Sequence, residues 1–278
     1  MAGNPRFEQK IVRAVLWTMT GATILILLFI VVFILRRGLP EVSLEFLTRN
    51  PENMGVEGGI FPTIVGTLAL TLMAIVIATP LGVGTAIYLT EYTWENRLTR
   101  IIRFGADCLA GIPSILFGLF GFILFVTKLK LGWSILSGGL TLSFMILPTI
   151  IRTSEEAIRS VPASYREVSA SLGCTKWQAV TRVVLPSALP GITTGVILSI
   201  GRSIGETAAV IFTAGSSLHI PTSLFSSSRT MAVHFYILAR EGISMPNAYG
   251  TAAVLVATIL MINIVSYYLM NKFIRRYS

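Results

Sequence analysis

The chain is short of charge. Only 13% of its 278 residues are Asp, Glu, Lys or Arg, against 53% apolar, and the mean hydropathy is +0.75. Soluble domains carry about 25% charged residues, so this surface is either unusually dry or turned to lipid. Other scarcities narrow the function. The two cysteines, Cys108 and Cys174, fall in different compartments of the topology derived below, and no disulfide is expected. The two histidines, His219 and His234, share one external loop that holds no Cys or carboxylate cluster, and no metal site is expected. No G-x4-G-K-[ST] phosphate loop occurs, so any ATPase is a separate polypeptide. The apolar runs hold no His and no Asp other than Asp107, which leaves no catalytic set for an intramembrane enzyme. No internal repeat of the kind a secondary carrier would show is evident, although that class stays open as an alternative.

Charge is missing in blocks. No Asp, Glu, Lys or Arg occurs in 14–35, 58–90, 108–127, 131–151, 183–201 or 242–271. About 20 helical residues cross a bilayer core of roughly 30 Å. Lipid offers backbone groups no partner, so such runs must be helices. The expected fold class is therefore an all-α membrane protein with six transmembrane helices. The first run is too long for a signal-peptide core, and Arg36-Arg37-Gly38-Leu39-Pro40 after it lacks a small-x-small cleavage pattern, so it reads as a retained helix. The expected divisions are a tail (1–13), the first span (14–35), an external loop (36–62), a core of five spans (63–271) that includes a cytoplasmic segment (152–187), and a tail (272–278). Pro80, Gly111, Pro113, Gly118 and Gly121 are read as residues of close helix packing, tolerated inside their spans, with Pro148 ending the fourth.

Lys and Arg set orientation. Fourteen fall in the N-terminal tail, the 91–104 loop, the 152–182 segment and the C-terminal tail, against seven on the other side. Both termini should be cytoplasmic, in a multi-pass cell (inner) membrane protein. The net charge of +9 is then explained by anchoring at lipid head groups rather than by nucleic-acid binding.

The cytoplasmic segment is the most informative. Ser164-Tyr165-Arg166-Glu167 and Thr175-Lys176-Trp177-Gln178 both have the capping-box pattern, with Gly173 between them able to turn the chain. Two short helices with a glycine bend form a bracket fit to dock something.

Glu167-Val168-Ser169, then Gly173, Val183 and Leu185-Pro186, are spaced as in the E-A-A-x3-G-x9-I-x-L-P motif. The segment resembles the coupling helix of ATP-binding-cassette importer permeases, and the bundle is expected to be of the type I kind. A narrower resemblance covers most of the chain from about residue 55. Thr79-Pro80-Leu81-Gly82-Val83, Tyr88-Leu89-Thr90-Glu91-Tyr92, Gly111-Ile112-Pro113-Ser114-Ile115, Ile151-Arg152-Thr153-Ser154-Glu155 and Gly205-Glu206-Thr207-Ala208 are similar to the phosphate-specific importer permeases, more to the A-type of the pair. The resemblance implies a second homologous permease, an ATPase dimer that carries ATP and Mg, and an external phosphate-binding protein. This chain itself would hold no cofactor. Glu167, Gly173, Leu185 and Pro186 would couple it to the ATPase. A permease for sulfate, molybdate or phosphonate is the alternative within the class.

Arg202 and Glu206 are charges at bilayer depth. Each costs roughly 3 kcal/mol to insert, so such residues normally face a bundle interior. Four residues apart, they are expected to pair on one helix face with Gly195, Ser199 and Thr213. Two uses remain open: a path or gate for an anion, with Ser199 beside it, or a structural salt bridge. Asp107 is expected to reach the interface beside Arg103.

Overall fold

A computed structural model describes residues 5–277. The side chains of Arg6, Arg275 and Arg276, which carry part of the charge argument, lie outside the described residues.

The molecule is an all-α bundle with one two-residue hairpin. Helix α1 (Pro5–Gly38) already begins in what the sequence suggests is a tail. A short helix α2 (Leu44–Thr48), capped by the Ser43 hydroxyl, and strands β1 (Pro51–Glu52) and β2 (Glu57–Gly58) fill the first loop. Then come α3 (Phe61–Ile87), α4 (Arg97–Ala110), α5 (Ser114–Gly121) and α6 (Ile135–Arg159). They are followed by α7 (Ala163–Ser171), α8 (Lys176–Ala179) and α9 (Leu185–Ile204). Last are α10 (Ala208–Thr213), α11 (Met231–Arg240) and α12 (Met245–Tyr277). Five continuous helical stretches are long and apolar enough to cross a membrane, and α4 with α5 forms a bent sixth.

Helix α6 is the hub. It packs on α3, α9, α10, α5 and α4, and its Leu142, Ile146 and Ile150 are fully buried with Leu70, Ala74 and Ala78 of α3. Small residues set the contacts. A Cβ on Gly118 would lie 2.9 Å from the Ala209 Cα, and one on Gly121 would collide with Thr141 and Thr213. In a lipid solvent this close approach, rather than burial from water, is what holds helices together. Helix α1 touches mainly α12 and leaves most of its apolar surface open, as a lipid-facing helix should.

Two expectations about proline are reversed. The fourth span does not end at Pro148, since α6 continues through it to Arg159. Pro113, taken as tolerated, breaks the third span, and α4 meets α5 at 104°. Pro113 offers no N–H and disfavours a helical residue before it, and its own ψ of 138° turns the chain while Gly111 is still right-handed. Pro148 is buried in the bundle, and α6 runs on past it.

Candidate functional site

The segment expected to couple forms one free-standing helix, not two. Helix α7 is entered from extended Pro162 (ψ 139°), so Ser164 already lies inside the first turn and makes no cap. The expected first capping box is absent for that reason. The second forms: Gln178 N–H donates to Thr175 Oγ1 at 3.3 Å, and Thr175 N–H to Gln178 Oε1 at 2.9 Å. From there the chain runs without a break into the fifth span, through a widened turn at Val180–Val184. That turn precedes Pro186: Leu185 N–H reaches back five residues to the Val180 carbonyl, which makes room for a residue with no N–H to give.

Gly173 closes α7 as expected, with φ +75°. Cys174 N–H donates to Ser169 O at 3.1 Å and Gly173 N–H to Ala170 O at 3.0 Å, a paired C-terminal closure that needs a left-handed residue. Glu167 is exposed on α7. Leu185 and Pro186 sit in the stem of the span, where Leu185 packs against the cluster of Ile158, Val161, Val184 and Ala188. The structure thus separates the motif: Glu167 and Gly173 lie at the tip, Leu185 and Pro186 at the root. The tip also carries Tyr165, Val168, Leu172 and Trp177 exposed, an apolar set among polar neighbours that the motif alone did not single out. Its signal was present in the sequence as large apolar residues in a segment too polar to enter lipid.

Beneath α7 is a layer of ion pairs that the sequence reading missed. Arg166 grips Glu91 at the end of α3, Nη2 to Oε1 at 2.6 Å and Nε to Oε1 at 3.0 Å. The same guanidinium donates to the Ile158 and Val161 carbonyls at the end of α6. Glu155, nearly buried, accepts from Arg103 Nε of α4 at 2.8 Å and from Arg159 Nη2 at 2.7 Å. Asp107 pairs with Arg152, so it is held by α6 rather than standing beside Arg103. Apart from Glu155 with Arg159, four residues on, the partners lie 45 to 75 positions apart, a distance no local pattern bridges.

Arg202 and Glu206 do not pair. Helix α9 ends at Ile204, and Gly205-Glu206-Thr207 is unwound before α10 begins. The four-residue spacing no longer puts the two on one face. Glu206 Oε1 instead accepts the Ala209 N–H at 3.1 Å and caps α10. Ser199 is fully buried in the bundle, and its hydroxyl donates to the Gly195 carbonyl at 2.9 Å. Arg202 is exposed, with no ion-pair partner among the described residues. Its level follows from its neighbours: Gly195 abuts Thr153 below, and Thr213 lies beside Gly121 near Thr141 above. Arg202 therefore stands near the middle of α6, a depth at which a bare guanidinium is costly to hold in lipid.

A cavity of about 630 Å³ opens at the α11 end between α5 and α10. Phe122, Trp133 and Phe212 form its walls, and Ser216, Ser217 and Ser227 its rim. Nearby, His234 of α11 is buried beneath the β1–β2 hairpin, where a Cβ on Gly55 would lie 2.8 Å from its ring. Arg229 Nη1 stands 3.4 Å from Nδ1. An arginine can only donate, so Nδ1 accepts and the ring proton is on Nε2. Burial, then the Arg229 charge, lower this histidine to about 4.

Comparison with known proteins decides the family. The family described as "Binding-protein-dependent transport system inner membrane component" matches residues 78–278. The chain belongs to that family. This member of the binding-protein-dependent permeases is 32% identical to the "Probable ABC transporter permease protein YqgI" of Bacillus subtilis (strain 168), over 96% of each chain. It is 33% identical to the "Phosphate transport system permease protein PstA" of Pasteurella multocida (strain Pm70), over 86% of this chain and 85% of that one. Its fold matches a permease in a bacterial alginate ABC transporter solved with its periplasmic protein, with a TM-score of 0.69 at 14% identity over 97% of this chain and 98% of that one. The expected bundle and the importer-permease family are both shown by these matches. The permease is a multi-pass membrane transport subunit.

Proposed function

We propose that this permease carries inorganic phosphate into the cell as the A-type member of a pair. It works with a second homologous permease, an ATP-binding-cassette ATPase dimer holding ATP and Mg, and an external phosphate-binding protein. The observation that carries the cargo is its likeness to the phosphate transport permease of Pasteurella multocida, at 33% identity across most of both chains. The geometry supports each contact. The exposed apolar tip of α7, turned by Gly173 and braced by Arg166 and Glu91, suits insertion into the ATPase. The break at Gly205–Thr207 with exposed Arg202 suits the face shared with the second permease, where a guanidinium can meet an oxyanion in passing. Loose contact favours transport over tight binding, since a strong site would oppose release. Both termini and α7 lie in the cytoplasm, and α11 with the 215–228 loop lies outside, in the cell inner membrane.

Purification of the chain with its native partners tests the assembly. An ATPase, a second permease and a phosphate-binding protein are expected to co-elute. Recovery of a sulfate-, molybdate- or phosphonate-binding protein in place of the last would reassign the cargo. Recovery of the chain alone, active as an ion-coupled carrier, would overturn the class.

A further inference from the structure

We infer that α4 is an interfacial helix whose outer face binds the anionic surface of a bilayer, so that this membrane contact is wired into the ion-pair layer beneath the coupling helix. The inference holds whatever the cargo.

The argument starts from direction. Helix α4 is turned 104° from α5, so if α5 follows the bundle axis, α4 lies across the end of the bundle. Its 14 residues are started by a full capping box, Asn96 with Thr99, and are helical to the break. One side is held by protein: Thr99 and Ala106 are buried, Arg103 pairs with Glu155, and Asp107 pairs with Arg152. The other side carries Leu98, Ile101 and Phe104, 55%, 65% and 68% exposed. At about 100° per residue these three share a sector with Cys108 and, at its N-terminal end, Arg97, and Arg100 borders it. Both arginines are exposed and neither makes an ion pair among the described residues.

Neither water nor the bilayer core suits such a face. Water is a poor solvent for three large apolar side chains in a row, and hydrocarbon would not accept Arg97 and Arg100. The head-group boundary accepts both, with the apolar stripe in the acyl region and the guanidinia on lipid phosphates. Aromatic residues at the same level agree: Tyr88, Tyr92 and Trp94 are exposed just before α4, Trp94 at 91%, and such rings settle at membrane interfaces. The charge specifies the lipid. Glu95 is engaged by Arg103 at 3.6 Å and Asp107 by Arg152, so the two exposed arginines are left as an uncompensated positive edge. A phosphatidylglycerol-type surface complements it; a zwitterionic one does not.

The consequence is a lever. Lipid holds one side of α4, and Glu155 and Arg152 of α6 hold the other, one helical turn from the start of the segment that carries α7.

Trp94 is the natural reporter. The full-length chain, with Trp17, Trp133 and Trp177 replaced by Phe, is reconstituted in vesicles where either phosphatidylglycerol or phosphatidylcholine carries brominated, quenching acyl chains. Brominated phosphatidylglycerol should quench Trp94 well beyond its mole fraction, with an enrichment of about fivefold per arginine. In R97Q/R100Q the excess should vanish while quenching by bulk lipid persists, which also shows that α4 is still seated. A companion chain keeping only Trp133, at the other end of the bundle, should show no change between the two backgrounds. Equal quenching by the two lipids, or an excess that survives R97Q/R100Q, would overturn the inference. Absence of quenching by either lipid would overturn it too, since the face would then be covered by protein.

Discussion

The two ends of the bundle are held by different physics. At the α7 end, Arg103 and Arg166 meet Glu155 and Glu91 in pairs whose carboxylates are almost wholly shielded from water, with the half-exposed Arg159 joining Glu155, and these link α3, α4, α6 and α7. At the α11 end the described residues contain one ion pair, Arg49 with Glu45, and both members are more than half exposed. That end is closed instead by contacts without net charge. Thr67 accepts the Met231 N–H at 2.9 Å, Asn247 holds the Gly55 and Val56 carbonyls at 2.9 and 2.8 Å, and neutral His234 supports the hairpin. The proposed function, with an ATPase pushing at the α7 end and cargo arriving at the other, calls for such a difference. The pushed end must move as a unit, and buried ion pairs, which fail together when one partner leaves, make it one.

The largest effect that would break this comparison is at Arg166. Arg166→Ala strands Glu91 and two carbonyls, and should cost about 3 kcal/mol, read as a lowered Tm of the purified chain in detergent. Glu91→Gln combined with Arg166→Gln should recover part of that loss. A single substitution without effect would mean that the α7 end is not bound by charge.

Acid should act on the other end. His234 is lowered to about 4 from an ordinary 6.5, so the undocked state takes up the proton first. Its contribution is complete above about pH 6.5 and is lost as pH falls toward 4. Between those limits the protection factors of the amides in 52–58, in which the intrinsic pH dependence of exchange is divided out, should fall by up to about tenfold per unit of falling pH. His234→Gln should flatten this dependence. Protection factors that ignore pH in the native chain would remove His234 as the support of the hairpin.

Gly173→Val comes next. The space beside Gly173 is open, so the cost is the left-handed backbone alone, roughly 1–2 kcal/mol. The protein should still insert, while ATPase association and transport fall. Survival of both would separate α7 from coupling. Arg49→Ala should be the smallest, under about 1 kcal/mol, because its pair is exposed. A loss as large as that of Arg166→Ala would erase the distinction between the two ends.

How far the sequence could be read follows the same division. Charge-free runs reveal spans because lipid imposes one rule along the chain, and Gly173 and the Thr175–Gln178 box were legible because their causes lie within five residues. Proline was not, since the fate of Pro113 and Pro148 depends on what packs beside them. The Arg202–Glu206 pairing failed for a related reason: four-residue spacing means contact only if the helix persists, and it unwinds at Gly205. Ser199 lies buried with Gly195, as the spacing suggested, while Arg202 stands exposed. The pairs of Glu91 with Arg166 and of Glu155 with Arg103 were invisible as pairs, because the fold alone brings those partners near.

The most direct test of the whole account is uptake of labelled phosphate by the co-purified complex in vesicles, with ATP supplied on the ATPase side and the binding protein on the other. The account predicts accumulation that requires ATP, stops when this permease is omitted, and is not displaced by excess sulfate or molybdate. Accumulation driven by an ion gradient without ATP, or displaced by another oxyanion as readily as by phosphate itself, would contradict it.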